Sequence, residues 1–186
     1  MKEQKIPVYE VELDEAEGIF AVSLVGAPAM QKDWMVFSKE PINFAVQDEE
    51  QRKVMSVLIR ANYPILRKTP EGRLFYIIFR KEVIEKMVRK MMYDATGNNI
   101  DLNHDNDYSV EGVELEQVFI KDSKAGINPV CFQDLDDGSA VSVYHIVNDE
   151  IWDAVRRGVF NGISMEAYVE LRKPEQTIEG LLSQKE

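Results

Sequence analysis

The chain has 186 residues, of which 45% are hydrophobic and 30% charged, with a single cysteine and a formal net charge of −11. That length supports one domain with its own apolar core, and no apolar run approaches the roughly 20 residues that a membrane-spanning helix needs. The acidic balance argues against general nucleic-acid binding, which works by basic side chains displacing counterions, and against docking on anionic lipid.

Cys131 stands alone, which excludes an intrachain disulfide and a cysteine metal cluster. Residues 1–6 are charged and are not followed by the apolar stretch of a secretory signal. A reducing, cytoplasmic setting is the expectation.

In chain order, Gly18 to Val25 (GIFAVSLV) is an apolar, β-branched run that Gly26-Ala27-Pro28 ends. Met35 to Phe37 reads as a short strand, and Asp48 to Arg52 as a charged loop or one helical turn. Lys53 to Arg60 predicts a strand that Asn62-Tyr63-Pro64 closes. Thr69-Pro70-Glu71-Gly72 is a turn, since proline presets φ and glycine accepts positive φ. Arg73 to Phe79 follows as a buried strand.

Val83, Ile84, Met87, Val88 and Met91 recur on one face of a helix, with the methionines as core filler, and Gly97 is its expected stop. An acidic stretch runs from Asn99 to Asp107. A strand is predicted from Val110 to Lys121, then a loop around Asp122 to Asn128. Pro129 to Gln133 and Ser139 to Val147 read as two strands joined by a hairpin through Leu135 to Gly138.

Asn148 or Asp149 caps a short helix whose apolar face is Ile151, Trp152 and Val155, with Gly158 just past its end. A last strand is expected from Gly162 to about Leu171. Many short strands with two helices predict an α+β fold, a barrel or sandwich with helices attached, not a βαβ array.

Only His104 and His145 can serve a histidine-dependent reaction. His104 lies among Asp101, Asn103, Asp105, Asn106 and Asp107, and a neighbouring carboxylate can fix the tautomer of an imidazole and raise its basicity. The same stretch is also what a solvated loop histidine looks like. His145 is in phase with Val141, Val143 and Val147, the position of a packed, hydrogen-bonded core histidine. Cys131 reads as a small buried apolar residue.

Side chains alternate along a strand. Between Gly162 and Leu171 that rule puts Ile163, Met165, Ala167, Val169 and Leu171 on one apolar face, and Ser164 and Glu166 together on the other. Asn161-Gly162 can bring backbone amides near a developing oxyanion beside Ser164. A harmless serine on an exposed strand face gives the same pattern.

Asp105, Asp107, Ser109 and Glu116 have the spacing of a calcium loop. Val110 occupies the position where that loop needs glycine, and no zinc ligand set is present. No metal or other cofactor is expected.

The order and content of these segments resemble the phage prohead serine proteases, in particular the branch from Gram-positive phages and prophages. Four stretches carry the resemblance. They are GIFAVSLVGAPAM (residues 18–30), YPILRKTPEGRLFYIIFRKEVI (63–84), LNHD (102–105) and GSAVSVYHIVNDEIWDAVRRGVFNGISMEAY (138–168).

The resemblance implies a herpesvirus assemblin-like, mainly antiparallel β-barrel flanked by helices. It also implies an endopeptidase that cuts scaffold and capsid-protein extensions inside the immature shell, within the host cytoplasm, and that commonly cuts itself. The family's catalytic histidine matches His104 and its serine matches Ser164. Backbone near Gly162 and Ser164 would bind the oxyanion.

For the third catalytic member, Glu166 is the choice because it shares a face with Ser164. Asp105 and His145 are the alternatives. Residues 1–172 are expected to form the protease domain, with 173–186 a polar tail. The major capsid and scaffold proteins are the expected substrates, and analogy allows a homodimer or homo-oligomer without the sequence deciding it; neither nucleic acid nor membrane is an expected partner. Leu13-Asp14-Glu15 has the hydrophobic-x-Glu form that some relatives cut after. A non-catalytic capsid-core or scaffold component with the same fold is the competing expectation.

Overall fold

The computed structural model describes residues 6–14, 17–26, 45–48 and 50–177. In chain order the elements are β1 (Pro7–Glu12), β2 (Gly18–Val25), β3 (Ala45–Asp48), β4 (Lys53–Ile59), β5 (Ile65–Lys68), β6 (Leu74–Ile78), α1 (Lys81–Asp94), β7 (Ile100–Leu102), β8 (Asp105–Ser109), β9 (Val113–Ile120), β10 (Ala140–Ile146), α2 (Asp149–Arg156), β11 (Gly162–Tyr168) and β12 (Glu170–Thr177). The fold is α+β and dominated by strands.

The strands form three four-stranded sheets, ordered β12-β1-β6-β5, β3-β4-β10-β9 and β11-β2-β7-β8. Most pairs are antiparallel, while β1–β6 and β2–β7 are parallel. Among the described residues the ladders do not link into one closed barrel.

One apolar core joins the sheets and both helices. It includes Val22 and Leu24 of β2, Val54 and Leu58 of β4, Tyr144 and Ile146 of β10, and Ile163 of β11. Helix α1 adds Ile84, Met87, Val88 and Met91, the face that its periodicity predicts. Helix α2 adds Ile151, Trp152 and Val155. Asn148 caps α2 by accepting from the amides of Glu150 and Ile151, which satisfies two of the donors a helix start leaves open. Gly158 follows with φ 72°, as expected past a helix end.

Several expectations need correction. Ala95, not Gly97, ends α1 in the left-handed conformation. Gly97 is small for packing: a β-carbon there would lie 2.5 Å from Leu115 Cδ2. Val130–Phe132 is a single 3₁₀ turn, not a strand. It buries Phe132 and leaves Cys131 exposed, with its Sγ 3.7 Å from Met55 Sδ.

The expected hairpin through Leu135 to Gly138 is likewise absent, because β10 pairs with β4 and β9. The last strand breaks at Val169, and β12 then pairs with β1 as far as Thr177. Asp48 belongs to β3, and β1, β5, β7 and β8 are strands that the sequence patterns did not single out. The Met35 to Phe37 expectation lies outside the described residues.

A buried polar contact ties β10 to the turn after α1. The Tyr144 side chain is fully buried, and its hydroxyl donates to the Gly97 carbonyl at 3.1 Å. Burial holds that hydroxyl in its neutral, donating form well above the usual titration range. Tyr144→Phe leaves the carbonyl unpaired and is expected to lower stability by about 1–2 kcal/mol. Urea unfolding would show this as a lower midpoint at unchanged slope; an unchanged midpoint would mean that the bond adds nothing.

Candidate active site

Three hydroxyl or carboxyl side chains stand in a row across the β11-β2-β7 sheet. Ser164 of β11 pairs with Ser23 of β2 in the antiparallel ladder, and Ser23 pairs with Asp101 of β7 in the parallel ladder. Directly paired residues project from the same side of a sheet. Glu166, two residues along β11, projects from that side too. The opposite side carries Val22, Leu24, Ile100 and Ile163, which enter the core.

The strand alternation thus places Ser164 and Glu166 as expected. The sequence reading did not single out Ser23. Its one signal was a lone polar residue inside an apolar strand.

His104 reaches this face from a tight hairpin. Leu102 of β7 pairs with Asp105 of β8, so Asn103 and His104 form a two-residue turn. Both have positive φ, 54° and 62°, the left-handed pair that such a turn needs to match strand twist. Asparagine and histidine are among the non-glycine residues that accept this conformation most often.

Asn103 anchors the turn. Its amide donates to the Leu24 carbonyl at 2.9 Å, and its side-chain oxygen accepts from the Gly26 amide at 3.3 Å. Thus the turn is held to the end of β2, and the imidazole comes over the sheet face.

There the imidazole Nδ1 lies 3.0 Å from Glu166 Oε1 and 3.1 Å from Ser23 Oγ. Ser23 Oγ donates to the same Glu166 oxygen at 3.0 Å. Since the serine proton is directed at Glu166, Nδ1 carries the imidazole proton and donates to the carboxylate and to Ser23 Oγ. Nε2 is then the basic nitrogen. Ser23 is fully buried, the Glu166 side chain is 15% exposed and that of His104 is 36% exposed.

Burial pushes the Glu166 carboxyl up. Hydrogen bonds from His104 and Ser23, the adjacent Asp101 and the charge of His104 outweigh it and hold Glu166 below its ordinary range. Asp101 goes the other way. Burial and the adjacent Glu166 raise it, against the opposing effects of Ser23 and His104.

Of the residues singled out in the sequence, His104 and Glu166 are brought into contact, and Ser164 shares their face. Ser164 is half-buried, and no hydrogen bond joins it to His104 in this structure. Gly162 pairs with Val25 and is buried. The Asn161 amide donates to the Val25 carbonyl at 3.1 Å.

His145 is not in the expected core position. It keeps phase with Val141 and Val143, but this face packs on a small cluster of Val57, Phe132, Leu135 and Val141, and the imidazole beyond it stands half-exposed on β10 with Nδ1 3.9 Å from Glu114 Oε2. Asp105 is exposed at the start of β8 and pairs its backbone with Leu102. The calcium-like spacing falls on two strands, β8 and β9, not on a loop. No group of three or more potential metal ligands occurs among the described residues.

No curated protein and no solved structure matches the chain. A family model described as "Putative phage serine protease XkdF" matches residues 69–173, more than half of the sequence. That span contains His104, Ser164 and Glu166, and the chain belongs to this phage serine protease family.

Proposed function

We propose that the chain is a prohead maturation endopeptidase in which Ser164 is the nucleophile, His104 the general base and Glu166 the third member. The observation that carries this reading is the His104–Glu166 hydrogen bond. It orients the ring and fixes the Nδ1–H tautomer, so that Nε2 is left to take a proton.

Ser164 lies on the same sheet face as Glu166. A modest movement of the hairpin or of the serine rotamer as substrate binds brings its hydroxyl to Nε2, since catalytic hydrogen bonds often tighten only in the complex. The Ser164 oxygen then attacks the scissile carbonyl while His104 takes the hydroxyl proton. Backbone amides near Gly162 and Ser164 stabilise the oxyanion. His104 returns the proton to the leaving amine, and water hydrolyses the acyl-enzyme by the reverse route.

On this reading the sheets correspond to an assemblin-like barrel framework. The substrates are the scaffold protein and extensions of the major capsid protein, cut inside the immature capsid in the host cytoplasm. Self-cleavage after Glu15, in the Leu13-Asp14-Glu15 segment, belongs to the same proposal; Glu15 lies outside the described residues.

Co-expression with the major capsid and scaffold proteins tests the proposal. Mass spectrometry is expected to find truncated capsid or scaffold chains with the wild type and full-length chains with Ser164→Ala. The protease itself is expected to lose residues 1–15 only when active. Full-length partners in both samples would favour a non-catalytic capsid-core component. The missing Ser164–His104 bond is the observation on that side.

A further inference from the structure

The row across the sheet includes a buried acid, Asp101, whose next partner on the edge strand β8 is the exposed Ser109. Asp101 is 3% exposed, and neither carboxyl oxygen accepts a hydrogen bond from any described residue. An ionised carboxylate in that condition carries a desolvation penalty of several kcal/mol. The groups facing it are Ser23 from β2, Glu166 from β11 and His104 from the hairpin turn, with Ser109 of β8 paired beside it.

Ser109 makes no hydrogen bond to either carboxyl oxygen, and the other three have no proton to spare. The Ser23 hydroxyl donates to Glu166, and the His104 Nδ1–H is directed at Glu166 and Ser23. Glu166, by contrast, retains acceptor capacity, because an ionised carboxylate offers about four lone-pair sites. The two carboxyls are complementary if Asp101 keeps its proton and Glu166 does not.

We propose that Asp101 is a positioning residue: a neutral acid whose O–H donates to the Glu166 carboxylate and fixes it against His104. The proposal rests on reading His104 and Glu166 as the catalytic pair, and it adds a support beneath that pair. The opposite directions of the two carboxyl shifts agree with it, Asp101 up and Glu166 down. Two adjacent carboxyls that share one proton separate in this way.

The test follows side-chain carboxyl carbons by NMR in the full chain, for the wild type, Asp101→Asn and Asp101→Leu. The wild-type Asp101 signal is expected to stay in its protonated position at a pH where the exposed aspartates of the same chain have ionised. Asparagine keeps a neutral donor, so Glu166 is expected to titrate within about 0.3 unit of wild type in Asp101→Asn. Leucine has no donor, and Glu166 is expected to titrate higher by on the order of one unit.

Cleavage is expected to survive in Asp101→Asn and to fall about tenfold or more in Asp101→Leu. If Asp101 ionises with the exposed aspartates, or if both variants move Glu166 equally, the proposal is overturned. Should Asp101→Leu not fold, the wild-type Asp101 signal and the Asp101→Asn titration decide alone. The carboxyl readings need no proteolysis, so they remain informative even if the chain cleaves nothing.

Discussion

Ser164→Ala is expected to lower kcat/KM by roughly 10⁴- to 10⁶-fold, equivalent to about 5–8 kcal/mol of lost transition-state stabilisation. The hydroxyl makes no hydrogen bond to a described residue and is half-buried, so removing it is expected to change stability by no more than about 0.5 kcal/mol. A large kinetic effect at unchanged stability is what a nucleophile gives and a packing residue does not.

Replacing His104 has a comparable kinetic effect, but the variant matters. At φ 62° an alanine would be strained by roughly 1–2 kcal/mol, whereas asparagine tolerates the left-handed region. His104→Asn therefore separates loss of the base from loss of the turn. Groups that act as one unit are strongly non-additive, so the Ser164→Ala/His104→Asn double variant is expected to be no slower than either single variant. A double variant slower by the product of the single effects would mean that the residues act independently. Undiminished processing in both single variants would remove them from the mechanism.

Glu166→Gln is expected to cost about 10²- to 10⁴-fold in kcat, because a neutral amide stabilises an imidazolium poorly and no longer enforces the Nδ1–H tautomer. It also changes the pH dependence of stability. Glu166 titrates below its ordinary value of 4.5 in the folded protein. Its contribution is therefore present above that value and is lost as pH falls through the lower, folded value.

Asp101 has the opposite sign. It is raised above its ordinary 3.8, so its contribution is complete below that value and is lost as pH rises through the folded one. Unfolding measured from about pH 3 to about pH 7 is expected to show a weaker acid-side loss in Glu166→Gln than in the wild type. Identical profiles for the two proteins would mean that Glu166 is not held ionised by its neighbours.

The helices and the apolar strands were readable because their residues carry a period. Ile84, Met87, Val88 and Met91 mark one face of α1, and Ile163 and Met165 mark one face of β11. The same period correctly set Ser164 and Glu166 apart from the core.

The residues 129–133 had no such constraint. A short apolar run after proline fits a strand or a 3₁₀ turn equally, and tertiary packing of Phe132 decided. The His104 hairpin was hidden for another reason. β7 has only three residues, and its turn uses Asn103-His104 without the glycine that usually betrays it.

Ser23 and Asp101 were unreadable as partners because their meaning lies in register. Nothing local to GIFAVSLV or NIDLNHD shows that β2 pairs in parallel with β7 and antiparallel with β11.

That pairing has a kinetic consequence. The contacts of the site close loops between residues 62, 81 and 143 positions apart. Contacts so distant in sequence form slowly, after local structure. During synthesis β2 and the His104 hairpin emerge well before β11 exists, so neither Ser164 nor Glu166 can meet the imidazole. On the proposed reading, a partly made chain has no means of cutting its neighbours, and the docking of β11 on β2 is the event that switches the site on.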